Sequence, residues 1–261
     1  MWRPLATRFL LKWPSLQAVR KVRPATLHQF YHLNGSRSAT LLEQRLALVD
    51  KAVPVTEETA VIDSFVLRVQ LICRQLQCLQ QTLHAYDTQI AQAFAAHPDR
   101  EIFASFPGAG PVLAPRLLAS LGSNRERFES ATNLQCYTGL APVTKQSGGS
   151  RHVHRRYLCP KFHRQSFHED AKESILWCRW AAAYYLLQRT LGKPHHTAVR
   201  ALGFKWQRII FRCWQAHTPY SDARYEQALK QAGSPVVALF DQVELGKSPF
   251  KNPAKKSQKT A

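Results

Sequence analysis

One long segment dominates the pattern of apolar and polar residues along the chain. Between Glu57 and about His97, apolar residues recur at alternating spacings of three and four. They are Ile62, Phe65, Val69, Ile72, Leu76, Leu79, Leu83, Tyr86 and Ile90. Such spacing puts them all on one side of a single helix, as in a coiled coil. We therefore predict a coiled-coil helix over residues 54–98 and self-association through it. An antiparallel helix pair within one chain is the alternative.

Shorter helical patterns precede this segment. Residues 1–53 predict a small helical region of three or four short helices. They are interrupted by Pro14, Pro24 and Asn34-Gly35, which are residue types that break helices.

A second helical domain is predicted over residues 99–220. It contains a loop at 139–149 and two long helices, at 163–191 and 195–217, the last of these being the final helix. Residues 221–261 predict an extension that is largely disordered after residue 246, because its end is basic and poor in apolar residues.

No stretch of the chain shows the alternation of apolar and polar residues that is typical of strands. The predicted fold class is therefore mainly α. A long coiled-coil helix is followed by a helical domain with a helix–hairpin–helix-like turn.

The charge of the chain favours a polyanionic partner. There are 36 Lys and Arg residues against 17 Asp and Glu, which gives a formal net charge of +19. Nucleic acids bind such proteins because contacts to phosphates release counterions. A membrane surface is the rival polyanion. No apolar run approaches the roughly 20 residues needed to span a bilayer, and we expect no membrane partner.

The N-terminal segment has two interpretations. MWRPLATRFLLKWPSLQAVRKVR is Arg-rich, and the first acidic residue of the chain is Glu43. This composition resembles a transit peptide. We favour a helix that packs its aromatic and aliphatic residues and turns its basic groups outward.

The cysteines do not predict a metal site. Six are present: Cys73, Cys78, Cys136, Cys159, Cys178 and Cys213. They form no CxxC pair, and we interpret them as reduced thiols, with disulfides as the alternative. A zinc site on Cys159 and His163 would have only half of a tetrahedral shell. Glu169 and Glu173 share a helix face and could hold a metal, but a solvated surface explains them better. We predict no metal or cofactor in this chain.

A Gly- and Pro-rich turn is the first candidate for binding chemistry. Phe106-Pro107-Gly108-Ala109-Gly110-Pro111 precedes a short apolar helix. Gly108 and Gly110 would let backbone N–H groups approach a phosphate, and the helix N-terminus would add its dipole. An ordinary turn between two core helices is the alternative.

A serine and a dense group of cations follow. Ser147 lies in Gln146-Ser147-Gly148-Gly149-Ser150, where a polar turn is the simplest interpretation. A serine that attacks a phosphodiester needs cations on the transferring phosphate. The nearby candidates for binding nucleic acid are Lys145, Arg151, Arg155, Arg156, Lys161 and Arg164.

A second basic face is predicted on the last helix. It carries His195, His196, Arg200, Lys205, Arg208 and Arg212, with Lys193 just before it. Trp206, Phe211 and Trp214 are interleaved with these cations. They could stack on bases, although burial in the core explains them at least as well.

Several motifs together resemble a known family. They are FPGAGP with LLASLG, then YTGLAP, QSG, KFHRQSFHE, WAAAYYLLQ and GKPHHTAVRALGFKWQRIIFRCW. With the long helix, this array resembles transposases of the insertion sequence 110/116/902 family over about residues 5–225. The resemblance implies that Ser147 is the catalytic nucleophile. It also implies a bacterial, cytoplasmic and nucleoid-associated protein.

The resemblance implies further partners and a further domain. The partners would be DNA, as element ends and target, and in some members a structured guide RNA. Complete members carry an RNase-H-like domain with a DEDD set of acids before the coiled coil. Here only Glu43 and Asp50 are acidic before residue 53, so we expect that domain to be missing. Mg²⁺ is expected only with that domain.

Three functions follow as hypotheses. The first is DNA transposition by a serine-dependent transposase fragment that is inactive alone. The second is a non-catalytic helical protein that binds nucleic acid. The third is a self-associating structural protein whose charge provides only solubility.

Overall fold

The computed structural model describes residues 4–246 and confirms a mainly α fold. The chain divides after Gln89 into two compact units. Each unit has its own cluster of buried apolar residues. The segment after residue 246, predicted to be largely disordered, lies outside the described residues. Within residues 4–246 no helix is both long and apolar enough to cross a membrane.

Four short helices form the start of the first unit. They are α1 (Pro4–Lys12), α2 (Leu16–Arg20), α3 (Pro24–Leu33) and α4 (Ala39–Lys51). The predicted interruptions lie at their ends. Ser15 and Ser38 cap α2 and α4, because each hydroxyl accepts a hydrogen bond from a backbone N–H of the first turn.

An aromatic cluster holds these helices together. Trp13, Phe30 and Tyr31 are buried, and Phe9 packs against all three, with ring centroids 5.3–5.9 Å apart. The apolar side of α1 therefore lies in the core of this unit.

A single helix, α5, spans Thr59–Ala95 and is 37 residues long. Its heptad pattern forms two rows. In the first row Ile62, Val69 and Leu76 are half-buried, whereas Leu83 and Ile90 are 61% and 48% exposed. Phe65, Ile72, Leu79 and Tyr86 are 57%, 44%, 57% and 58% exposed. One complete row of the apolar stripe thus lies open to solvent.

The second unit contains most of the elements. Its helices are α6 (Arg100–Ala104), α7 (Gly110–Leu121), α8 (Ala131–Tyr137), α9 (Lys161–Trp177), α10 (Arg179–Thr190), α11 (His195–Gln215) and α12 (Asp222–Gln231). Short 3₁₀ turns lie at Arg125–Arg127 and Val237–Gln242. Two antiparallel strands, β1 (Val143–Ser147) and β2 (Ser150–His154), form the one sheet of the described chain.

Three predictions about these elements were wrong. The expected loop at 139–149 contains β1 and the turn of a β-hairpin. The expected helix at 163–191 is broken at Cys178, whose backbone is extended with φ −126° and ψ 119°. The helix at His195–Gln215 is not the final one, because α12 and a 3₁₀ turn follow it.

The core of this unit forms around α9 and α11. Trp180, Trp206 and Trp214 are fully buried. The Trp206 indole N–H donates to Ser174 Oγ at 2.8 Å, and that of Trp214 donates to the Gly122 carbonyl at 2.9 Å. Buried indoles need such acceptors. Trp206 and Trp214 are therefore core residues, and the idea that they stack on bases was wrong.

Candidate nucleic-acid interface

Ser147 lies at the tip of the β-hairpin. It is the last residue of β1 and pairs with Ser150, the first residue of β2. The two-residue turn between them is Gly148-Gly149, and Gly148 has φ +55°, a conformation that favours glycine. All of these residues are exposed. The fold thus presents the Ser147 hydroxyl on a tight, projecting turn.

The register of the hairpin sorts the neighbouring side chains into two faces. Residues that pair directly across an antiparallel sheet share a face, and the faces alternate along each strand. Lys145 pairs with His152, and Gln146 pairs with Arg151. Lys145 and His152 therefore share the face of Ser147, while Arg151 extends from the opposite face.

His152 is engaged with the second serine of the turn. Its Nε2 lies 2.9 Å from Ser150 Oγ, within hydrogen-bond distance. Ser147 makes no hydrogen bond to another side chain in the described part of the protein. Nothing on this face is therefore placed to remove the Ser147 proton directly.

A groove with two cavities adjoins the base of the hairpin. The first cavity, of about 490 Å³, lies between the Gly139–Pro142 segment, Val153 and the α10–α11 pair. The second, of about 520 Å³, lies over the first half of α9. Leu140, Arg155 and Arg200 line both, so the cavities share one wall.

The wall and the second cavity are strongly cationic. The second cavity is lined by Arg155, Lys161, Arg164 and Arg200, and its carboxylate, Glu169, is bound by Arg116 at 2.6 Å. Within residues 4–246 none of the four lining cations forms an ion pair. Burial and then the positive charge of Arg155 lower the pKa of Arg200. Such repulsion costs free energy unless an anion binds there.

Histidines complete this cavity. His168 of α9 and His196 of α11 both line it, with ring centroids 5.8 Å apart. Burial, followed by the charges of His196 and Arg200, lowers the pKa of His168 to about 4. His168 is therefore neutral at pH 7 and can offer a hydrogen bond without adding to the repulsion.

The Pro-Gly turn lies elsewhere. Gly108 has φ +82°, and a Cβ added there would lie 3.0 Å from the backbone carbon of Glu173 and 3.1 Å from Trp177. Its lack of a side chain thus allows close packing on the second half of α9. Gly110 has open space around it. The cationic cavity uses the first half of α9, so the predicted phosphate grip and this cavity are separate.

The predicted cations fall into two groups. Lys145 and Arg151 lie on the hairpin, whereas Arg155, Arg156, Lys161 and Arg164 line the groove.

Sequence reasoning missed how Arg200, His196 and His168 join the groove. Arg200 and His196 were seen only as part of a second basic face. Helical spacing could have indicated this arrangement. Arg164 and His168 are four residues apart on one helix, as are His196 and Arg200 on another, so each pair shares a helix face.

The described residues do not offer a metal site. No group of three or more His, Cys, Asp or Glu side chains that could hold an ion occurs within residues 4–246. Cys159 accepts a hydrogen bond from Arg164 at 3.3 Å, and Glu169 is bound by Arg116. All six cysteines are free thiols.

Comparison with known proteins relates part of the second unit to a known family. Residues 100–186 match the family model for the transposase IS116/IS110/IS902 family. This matched segment is similar to the transposases of that family. It runs from α6 into α10, so it includes the hairpin and the α9 side of the cationic cavity.

Curated relatives are similar to more of the chain than this matched segment. A mini-circle candidate transposase for IS117 from Streptomyces coelicolor is 29% identical over 233 residues, which are 89% of this chain and 56% of that protein. An uncharacterized 42 kDa protein of insertion element IS900 from Mycobacterium paratuberculosis is 30% identical over 158 residues, 59% of this chain and 39% of its own length.

A third relative is similar over most of the chain. An uncharacterized 43.6 kDa protein of insertion element IS110, also from Streptomyces coelicolor, is 27% identical over 219 residues, 82% of this chain and 52% of that protein. The chain thus spans about half, or less, of the length of the relatives it matches.

Proposed function

We propose that this chain acts in DNA transposition, as a DNA-binding part of a transposase that uses Ser147 as its nucleophile. The observation that carries the proposal is the position of Ser147. It lies exposed at the tip of a hairpin beside a groove whose lining cations form no ion pair within residues 4–246. The segment that matches the transposase family model contains this hairpin, and one relative is named as a candidate transposase.

The hairpin can bring the serine oxygen to a phosphodiester. The Ser147 oxygen forms a bond to phosphorus while the bond from phosphorus to one deoxyribose oxygen breaks. The hydroxyl proton leaves to a base, and the departing oxygen takes up a proton. Lys145 shares the face of Ser147 and can hold a non-bridging phosphate oxygen, where its charge stabilises the transition state.

The groove holds the rest of the strand. Arg155, Lys161, Arg164 and Arg200 can bind phosphates on either side of the reacting one, with little dependence on sequence. Element ends and target DNA are the proposed partners, and a structured guide RNA would bind through the same charges.

A proton acceptor for the Ser147 hydroxyl is missing among its described neighbours, so another part of the active complex must supply it. A serine hydroxyl is a poor nucleophile without a proton acceptor, and the imidazole on its face is hydrogen-bonded to Ser150. We propose that a family DEDD domain supplies this function and would hold Mg²⁺. The described residues of this chain form no site for that ion.

A second candidate is a nucleic-acid-binding protein without catalysis. The groove favours it, because its cations lie at the base of the hairpin and would bind a strand whether or not Ser147 reacts.

A covalent-adduct experiment separates the two candidates. The purified chain with DNA and Mg²⁺ should give no covalent protein–DNA adduct on a denaturing gel. Adding an intact family DEDD domain should give an adduct that disappears in Ser147→Ala. Ser150→Ala is the matched control, because Ser150 lies across the same turn, and it should keep the adduct. An adduct that persists in Ser147→Ala would show that another residue is the nucleophile.

A further inference from the structure

The two cavities of the groove differ in chemistry although they share a wall. The first is lined mainly by apolar groups, among them Leu140, Val153, Tyr184 and Phe204. Apart from Leu140, the second is lined by charged and polar residues, whose heads can reach a bound anion. A ligand that fills both must therefore have an apolar, flat or compact part joined directly to an anionic part.

The shared wall fixes where the anionic part would lie. Arg155 and Arg200 line both cavities, and Arg200 is positioned by its hydrogen bond to Thr197 Oγ1 at 2.9 Å. Lys161 and Arg164 of α9 also line the second cavity. An anion in this cavity would therefore meet cations carried by α9, by α11 and by the segment after β2.

The apolar cavity has a suitable size and lining for a base. Its volume of about 490 Å³ lies within the range of ligand pockets, roughly 300–1,000 Å³. Tyr184 and Phe204 are half-buried and supply aromatic surface. Bases that leave their stack bind between aromatic and apolar side chains.

We propose that the groove holds one unstacked nucleotide of single-stranded DNA, with its base in the apolar cavity and its phosphate against Arg155 and Arg200. This inference rests on the proposed function, since it assumes that a DNA strand lies in the groove. It adds a site for a single base that neither the hairpin nor the family match assigns.

The site is close to the proposed nucleophile along the hairpin. His154, which also lines the pocket, pairs with Val143 and shares the face of Ser147, and Ser147 is four residues further along β1. At about 3.3 Å per residue, this separation is roughly 13 Å. The base pocket would therefore hold a nucleotide near the reacting phosphate and fix the register of the strand.

The test compares a short DNA oligonucleotide with the same sugar–phosphate chain lacking bases. Binding to the full chain is measured by fluorescence anisotropy. We expect the base-bearing strand to bind about five- to 150-fold more tightly, the range for stacking of one base on aromatic side chains. Ala201 lines the apolar cavity, and Ala201→Leu would fill it. This variant should abolish the preference and leave binding of the abasic chain unchanged.

Controls separate the base site from general binding. Ala228→Leu makes the same change at an exposed position of α12 and should keep the base preference. Phe204→Ala removes aromatic surface and should weaken the preference if Ala201→Leu fails to fold. Arg200→Ala should weaken the binding of both the base-bearing and the abasic strand. An RNA oligonucleotide and free dAMP in competition show whether the site takes a DNA strand, an RNA strand or a mononucleotide.

The outcomes distinguish this inference from the proposed function. Equal binding of both strands, or a base preference unchanged in Ala201→Leu and Phe204→Ala, would overturn the base site and leave DNA binding standing. Stronger binding of RNA or of free dAMP than of the DNA strand would overturn the choice of ligand. Failure of both strands to bind would overturn the proposed function as well.

Discussion

Gly108 has a conformational requirement and a packing requirement at once. Its φ of +82° lies in the left-handed region, and an added Cβ would lie 3.0 Å from the backbone of Glu173. Backbone cannot move aside as the end of a flexible side chain can. From the sequence, phosphate binding was the functional hypothesis for this glycine. Close packing of the turn on α9 is by itself enough to explain why a glycine is needed there.

Gly108→Ala should therefore lower the free energy of unfolding by about 1–3 kcal/mol, the usual cost of a strained backbone position. Thermal or denaturant unfolding followed by circular dichroism measures this change. Gly149→Ala is the control, because nothing lies within 4 Å of its added Cβ and its φ is not positive. It should change stability by less than about 0.5 kcal/mol. Equal stability of the two variants would contradict the packing explanation.

At the scale of elements, α5 has an apolar surface that is not covered within one chain. The row Phe65, Ile72, Leu79 and Tyr86 is about half exposed at every position. Exposed apolar stripes at heptad spacing are typical of helices that pair. We propose that a second copy of the chain covers this row.

Polar substitution of the stripe tests this proposal. Changing Ile72, Leu76 and Leu79 to polar residues should shift the mass in solution toward that of a monomer, because their burial drives pairing. Size-exclusion chromatography with light scattering measures the mass. Changing Arg74 and Gln81, exposed residues outside the stripe, to alanine is the control and should leave the mass unchanged. A stripe variant with the mass of the wild type would argue against pairing through α5.

At the scale of the whole molecule, charge decides how nucleic acid binds. The formal net charge is +19, and the structure places in one groove of the second unit several cations that form no ion pair with any described residue. Long-range attraction and counterion release should then dominate affinity.

Binding of DNA should fall steeply with salt and depend little on sequence. A protein with 6–10 phosphate contacts loses about 10³–10⁵ in affinity between 50 and 200 mM salt. We expect a loss of more than about tenfold here, measured by anisotropy over a salt series. Arg155→Ala with Arg200→Ala should flatten the slope, whereas Arg23→Ala, on the first unit, should change it little. A smaller loss in the wild type would favour the hypothesis that charge serves only solubility.

Much of this protein could be predicted from local pattern. The heptad spacing predicted a long helix near residues 57–97, and Pro14, Pro24 and Asn34-Gly35 marked helix ends, because these signals act through the backbone of a few neighbouring residues. The motifs from Phe106 to Trp214 predicted the resemblance to the family, and residues 100–186 match its model. The net charge followed directly from composition.

Only the tertiary structure decided how these parts form a site. The hairpin was not predicted from the sequence, because its strands are mostly exposed and show no alternation of apolar and polar residues. The break at Cys178 was hidden because apolar residues continue on both sides of it. The groove is lined by Arg155, His168 and Arg200, which are far apart in sequence. The packing of α9 against α11 brings them together. The sequence by itself determined which side chains are available, and long-range packing determined which of them share a cavity.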